Sequence, residues 1–322
     1  MQPDETHNEE DTEFTNILER FQKAMVAHNP EDVANATENV FALMEQRHLE
    51  RKQSTQDLMS EEAMELEAAG DWAGAEATYR KILDLPGIDV PKVWEIHSKL
   101  ASLLRLVGHP SEAIAHARIA TATARKLDLV SAQVMAIQSE SRLLLEMGLP
   151  ETAMPLLEEA LDLVNQDAIF EGMRPGLLVQ RAKCNLTMGD MTQQTRATVQ
   201  KDLDLAFAQM APMADAKIVT GIQATLADYW FAMSMLHFQT HSPDLALESV
   251  QKTLTLWEEI HEQPHSRGVF TLFSVSDALS KVSDAMLKCG RDAEAAQMKA
   301  RCLQIRHGLK LPTSNPGKPL NG

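Results

Sequence analysis

Between Glu61 and Leu163, apolar residues recur every three or four positions, stop at a glycine, and then resume. The stretch "LLRLVGHPSEAIAHARIA" begins at Leu103, and "LLLEMGLPETAMPLLEEA" begins at Leu143, about 40 residues later. In the first, Leu103, Leu104, Leu106 and Val107 form a stripe of helical period that ends at Gly108. In the second, Leu143, Leu144, Leu145 and Met147 do the same and end at Gly148. A glycine just past a helix adopts the left-handed conformation that closes it without a side-chain clash. Pro110 and Pro150 follow, with Glu112 and Glu151 close behind. Proline belongs in a first helical turn, where its missing N–H costs nothing, and a carboxylate there opposes the helix dipole. Ala113 and Ala153 then stand where a second helix must press closely on the first. Each stretch predicts helix, tight turn, helix.

The same pattern predicts further turns at His28–Pro30, Gly70, Gly189, Ser242–Pro243 and Gly290, making seven helical hairpins in all. One amphipathic hairpin cannot bury its apolar face alone, whereas a stack of them shares a continuous core. The expected fold is therefore all-α, an α-solenoid of about seven antiparallel hairpins over residues 13–308. Residues 1–12 are acidic and polar, and "LPTSNPGKPLNG" has prolines and no apolar stripe. Disordered tails are expected at 1–12 and 309–322.

These repeats resemble the tetratricopeptide-repeat superfamily. The residues that carry the resemblance are Gly70, Trp72, Ala75, Tyr79 and Ile82; Leu104, Gly108, Ala113 and Ala120; and Leu144, Gly148, Ala153 and Ala160. The units are longer than the ~34 residues usual for that repeat. In that they look like the ~40-residue variants of bacterial regulatory and peptide-sensing proteins. The resemblance implies a right-handed superhelix that binds a protein or peptide on its concave face. Some tetratricopeptide domains clamp a chaperone's terminal carboxylate, but here Met64 and Ser102 stand where that motif needs asparagine or a cation. That function is not carried over.

Charge narrows the class of partner. Lys and Arg number 30 against 46 Asp and Glu, a net charge of −16. Such a chain is not expected to track a nucleic-acid backbone or an anionic bilayer. No stretch reaches the ~20 apolar residues of a membrane helix, and the acidic start is unlike a signal peptide. Cys184, Cys289 and Cys302 are scattered and odd in number, as expected of buried free thiols in a reducing, cytoplasmic setting.

Catalytic signatures do not emerge. The chain has no GxxxxGK[ST] phosphate loop, no GxGxxG after a strand, and no GxSxG elbow. His237 and His241 share a helical face, but no Cys or carboxylate at ligand spacing joins them, and Pro264 separates His261 from His265. The expectation is a non-enzymatic binding scaffold without cofactor or metal. The alternative is a regulatory protein that senses a peptide or small anion by a change of curvature.

The first helix of each hairpin is expected to line the concave face. Counting back from the turns places Ser98, Ser102 and Arg105, then Gln138 and Arg142, then Val179 and Lys183 on that face. Arg105, Arg142 and Lys183 form a line of cations suited to an acidic segment of a partner. Pairing of each with a neighbouring Glu is the competing account. A second candidate is "ADYWFAMSMLHFQ", whose aromatic and Met side chains surround a helix, with Phe231, Met235 and Phe238 on the inner face. Buried packing and an apolar binding pocket are both open readings of that helix.

Overall fold

The computed structural model describes residues 55–127, 129–166, 168–213, 220–263 and 269–311. The hairpin expected around His28–Pro30 and the tail expected at 1–12 lie outside the described residues. Twelve α-helices, and no strand, make up the described regular structure apart from two short 3₁₀ segments. They pair as six hairpins: α1 (Thr55–Ala68) with α2 (Trp72–Leu83), α3 (Val90–Leu106) with α4 (Pro110–Ala124), and α5 (Val130–Glu146) with α6 (Pro150–Gln166). Then come α7 (Arg174–Met188) with α8 (Gln193–Met210), α9 (Thr220–Gln239) with α10 (Pro243–Glu262), and α11 (Val269–Lys288) with α12 (Asp292–Gly308).

Five of the six turns are built alike. Gly70, Gly108, Gly148 and Gly290 adopt φ values of 70–87°, and His241 takes the same place with φ 58°. The residue after each closes the helix with a long backbone bond: His109 N–H to Leu104 C=O at 2.8 Å, Leu149 to Leu144 at 2.9 Å, Ser242 to His237 at 2.8 Å. Five residues beyond the left-handed one stands an alanine: Ala75, Ala113, Ala153, Ala246 or Ala295, each no more than 1% exposed. The methyl group sets how closely the second helix approaches the first. The turn at Gly189 is longer, and Thr192 caps α8 by accepting from the Thr195 N–H; there Val199 fills the contact.

The core runs without interruption from Ala63 in α1 through Tyr79, Leu104, Leu144, Leu157 and Leu177 to Leu236 in α9. A second cluster, around Val250, Val282 and Met286, joins the fifth and sixth hairpins. The array also closes on itself. Trp72 at the start of α2, Leu106 in α3, Phe273 in α11 and Leu311 beyond α12 share one buried cluster. The Trp72 indole N–H donates to the Leu309 carbonyl at 3.1 Å, and the guanidinium groups of Arg105 and Arg306 lie 5.0 and 5.4 Å from the Phe273 ring centre. The C-terminal boundary expected at 309 is thus corrected. Leu309 and Leu311 offer apolar surface that the early hairpins bury, so ordered structure continues through Leu311.

Within the α3–α4 hairpin, His97 and His116 share an Nδ1···Nδ1 hydrogen bond of 2.8 Å. One ring must be neutral to accept it. Burial first, and then His116, pull the His97 pKa down to about 4; burial and Arg80 lower His116, against Glu112 and Glu76. A histidine in the unfolded chain takes its proton near pH 6.5. Below that pH the unfolded state binds more protons than the folded one, so stability declines as pH falls from about 6.5 to about 4. Urea unfolding across that window should show the decline, and His97→Gln should flatten it relative to wild type. Parallel curves for the two proteins would contradict this assignment.

Candidate functional site

The inside of the superhelical turn holds a cavity of about 280 Å³. Its walls come from first helices: Arg105 of α3, Arg142, Leu145 and Glu146 of α5, Lys183 and Thr187 of α7, Asp228, Phe231 and Met235 of α9, and Asp277 and Lys281 of α11. Trp257 enters from α10, and Phe273 brings the closing contact to the rim. Five of the residues expected on the concave face therefore do meet: Arg105, Arg142, Lys183, Phe231 and Met235.

The cations are not an open line. Arg105 pairs with Glu146 at 3.1 Å, Lys183 with Asp228 at 3.0 Å, and Lys281 with Asp277 at 2.7 Å. The competing account is the better one for Arg105 and Lys183. Arg142 differs, since it is exposed in the groove and has no ion-pair partner among the described residues. Burial would raise the Asp228 carboxyl, but Lys183, Arg142 and Lys281 outweigh it and hold the group at about 2. Asp277 is likewise held low: burial opposes ionisation, and Lys281, Arg105 and Arg306 overcome it. Both aspartates are thus ionised at neutral pH. Four cations against three anions give the lining a charge of +1 inside a chain of −16.

The aromatic helix presents two different faces. On its outer side Tyr229 stacks on Phe207 with centroids 5.1 Å apart, and the Lys252 ammonium sits 4.1 Å from the Trp230 ring centre. On its inner side Phe231 lies beneath Lys281 at 4.0 Å and Lys183 at 5.6 Å, a pair of cation–π contacts facing the groove.

Five expected residues do not line this cavity. Phe238 packs against the Val250–Val282 cluster, with the Lys288 ammonium 4.6 Å from its ring centre. The Ser98 hydroxyl donates to the Trp94 carbonyl of its own helix at 2.9 Å. Gln138 lies against Gly176, where an added Cβ would stand 2.6 Å from its amide nitrogen. Ser102 is half-buried in α3, and Val179 is buried in the core. Conversely, Asp228, Asp277, Lys281, Trp257 and Phe273 were not anticipated. Asp228 stands one helical turn before Phe231, and Asp277 and Lys281 form an i,i+4 pair, so the inward face of α9 and α11 carried the signal.

A second recess of about 590 Å³ lies between α6, α7 and α8, and there Arg181 forks onto Asp202 at 2.7 and 2.9 Å. Its lining balances three cations with three carboxylates. Among the described residues no three His, Cys, Asp or Glu side chains gather as a metal site. No described helix is long and apolar enough to cross a membrane. Cys184 and Cys302 are buried, and burial pushes the Cys184 thiol up to about 12, which leaves it unreactive.

No family model and no curated protein matches the sequence. Among solved structures, NprR in complex with its cognate peptide NprX is similar over 90% of this chain and 77% of its own, at 12% identity and a TM-score of 0.54. A Rap protein complexed with Competence and Sporulation Factor is similar over 93% and 78%, at 12% identity and 0.52. A tetratricopeptide repeat protein from Parabacteroides merdae is similar over 92% and 96%, at 12% identity and 0.51. At such identity the likeness concerns fold alone. With its repeated turns, its buried alanines and its closed inner groove, the chain has the tetratricopeptide-like fold, a right-handed α-solenoid.

Proposed function

We propose that this protein is a non-enzymatic peptide-binding scaffold that takes its ligand in the groove between the first helices. The observation that carries the reading is the convergence of Arg105, Arg142, Lys183, Phe231 and Met235 from three successive hairpins and the next one on a single cavity. Charged groups beside apolar surface are what a peptide needs, since its backbone and side chains offer both. Support by analogy of fold comes from NprR, solved with its cognate peptide NprX. A regulatory role is the second reading, favoured by Arg105. That side chain lines the groove, pairs with Glu146 and stacks on Phe273 of the closing contact, so a ligand that engages it also touches the closure.

Capture from native cell extract tests the scaffold reading. The wild-type chain should retain peptides at low ionic strength, and the Arg142→Gln, Lys183→Gln double variant should retain at least tenfold less. Rising salt should weaken wild-type capture, because the contacts are between charges. Equal retention by both proteins at every salt concentration would count against the groove.

A further inference from the structure

Independently of the groove, we infer that the recess between α6, α7 and α8 docks a basic amphipathic helix of a partner protein: Glu158 and Asp162 take its Lys or Arg side chains, and Leu205 takes its apolar stripe. The fourth described hairpin departs from the common turn, since Gly189 leads into a longer connection and Val199 stands where the other five have alanine. A branched side chain in place of a methyl group keeps α8 farther from α7, and the neighbouring outer helices α6 and α8 part. Each helix turns one stripe to the opening. Glu158, Leu161, Asp162 and Asn165 come from α6, at the spacing of three or four that shares a helical face. Thr198, Lys201, Asp202 and Leu205 of α8 have the same spacing, and Arg174, Leu178 and Arg181 of α7 make the floor. Each stripe runs two turns, roughly 10 Å, so the walls are long enough to hold two turns of a further helix, packed as ridges into a groove.

Backbone chemistry and charge then select the occupant. The guanidinium groups of the floor are already engaged: Arg181 forks onto Asp202, and Arg174 reaches Asn165 at 2.8 Å and Glu171 at 3.2 Å. An extended segment would find no strand edge among the described residues to pair its backbone groups, whereas a helix satisfies its own. The charges left are Glu158 and Asp162, exposed and one turn apart on α6, and Lys201 on α8. None of the three has an ion-pair partner among the described residues. Two acids on one wall against one cation on the other call for a helix with Lys or Arg one turn apart on its α6 side. Leu205 is 41% exposed on the opposite wall and gains from being covered. The charge of −16 on the whole chain draws a basic partner during approach as well.

The test offers the full chain two pools of helix-stabilised 15-residue peptides that share a randomised apolar stripe, one flanked by Lys and Arg and the other by Glu. Retained peptides are identified by mass spectrometry, and one is then titrated by fluorescence anisotropy. The inference expects retention from the basic pool alone. Glu158→Gln with Asp162→Asn should weaken the titrated peptide at least tenfold, and Leu205→Asn at least threefold. Glu62→Gln with Glu65→Gln removes the same charge from exposed positions of α1 and should change binding less than twofold. This control separates attraction to the chain as a whole from recognition by the recess. Arg142→Gln with Lys183→Gln should leave the titration unchanged. Loss of binding in that last variant would overturn the recess while leaving the groove reading standing. Equal weakening by the two pairs of acid substitutions would overturn the recess as well, and so would retention of neither pool or of both alike. Self-association of the wild-type chain in sedimentation, abolished by Glu158→Gln with Asp162→Asn, would overturn the partner protein in favour of a second copy.

Discussion

Trp72→Ala is expected to lower the stability of the array by about 3–5 kcal/mol, the usual cost of deleting a large buried side chain. The indole is only 9% exposed, and its N–H is satisfied by the Leu309 carbonyl at 3.1 Å. Its neighbours in the cluster are Leu106, Phe273 and Leu311, so one substitution loosens contacts between the beginning and the end of the described chain. In an open solenoid each repeat touches only those next to it, and removing a residue from a second helix would be felt locally. Here the loss should reach the sixth hairpin. Deleting the chain from Leu309 onward should produce a similar fall in melting temperature, and the combination should not be additive. Independent, additive losses would mean that the two ends do not meet in solution.

The second large effect concerns the hairpin contact. Ala153→Trp should destabilise by at least about 3 kcal/mol, at or beyond the upper end of the usual overpacking range. Ala153 is fully buried, and the helix carrying it packs directly on α5. Thr152→Trp, on the exposed side of the same turn, is the control and should melt close to wild type. Melting of both variants like wild type would show that the alanine does not set the approach of α6 to α5. The argument extends to Ala113, its counterpart in α4, which is also fully buried.

Ala113 and Ala153 show why so much of the fold was legible in the sequence. A left-handed glycine, a first-turn proline and a small contact residue act through local geometry, and their order repeats wherever the hairpin repeats. His241 shows the limit of that reading: it takes a glycine's backbone conformation with an ordinary side chain, so the turn was anticipated one residue late, at Ser242–Pro243. The groove was legible in part for a related reason. Arg142 and Lys183 stand at matching places before Gly148 and Gly189, and Arg105 stands one helical turn nearer its own glycine, so helical period puts all three on one face.

What the period does not contain is the superhelical path. Ser98 lies on the same helix as Arg105, two turns nearer its start, and the cavity sits over the helix ends of α3, α5 and α7. By α11 the array has turned, and the residues facing the cavity come from the first part of that helix, Phe273 to Lys281. Phe238 falls outside for the same reason, since the end of α9 has passed from the groove to the contact with the sixth hairpin. The ion pairs depend on how far one hairpin is offset from the next, which no single helix records. The closing contact joins Trp72 to Leu309, and only the summed curvature of the intervening hairpins brings them together.

Hydrogen exchange of the full chain, with and without a peptide captured from native cell extract, tests the central claim most directly. A ligand held in the groove should protect the inward first helices α5, α7 and α9 around Arg142, Lys183 and Phe231, and the part of α11 around Lys281. The outer helices α4, α6 and α8 should exchange as before. Protection confined to those outer helices, or to the recess around Arg181, would contradict the account.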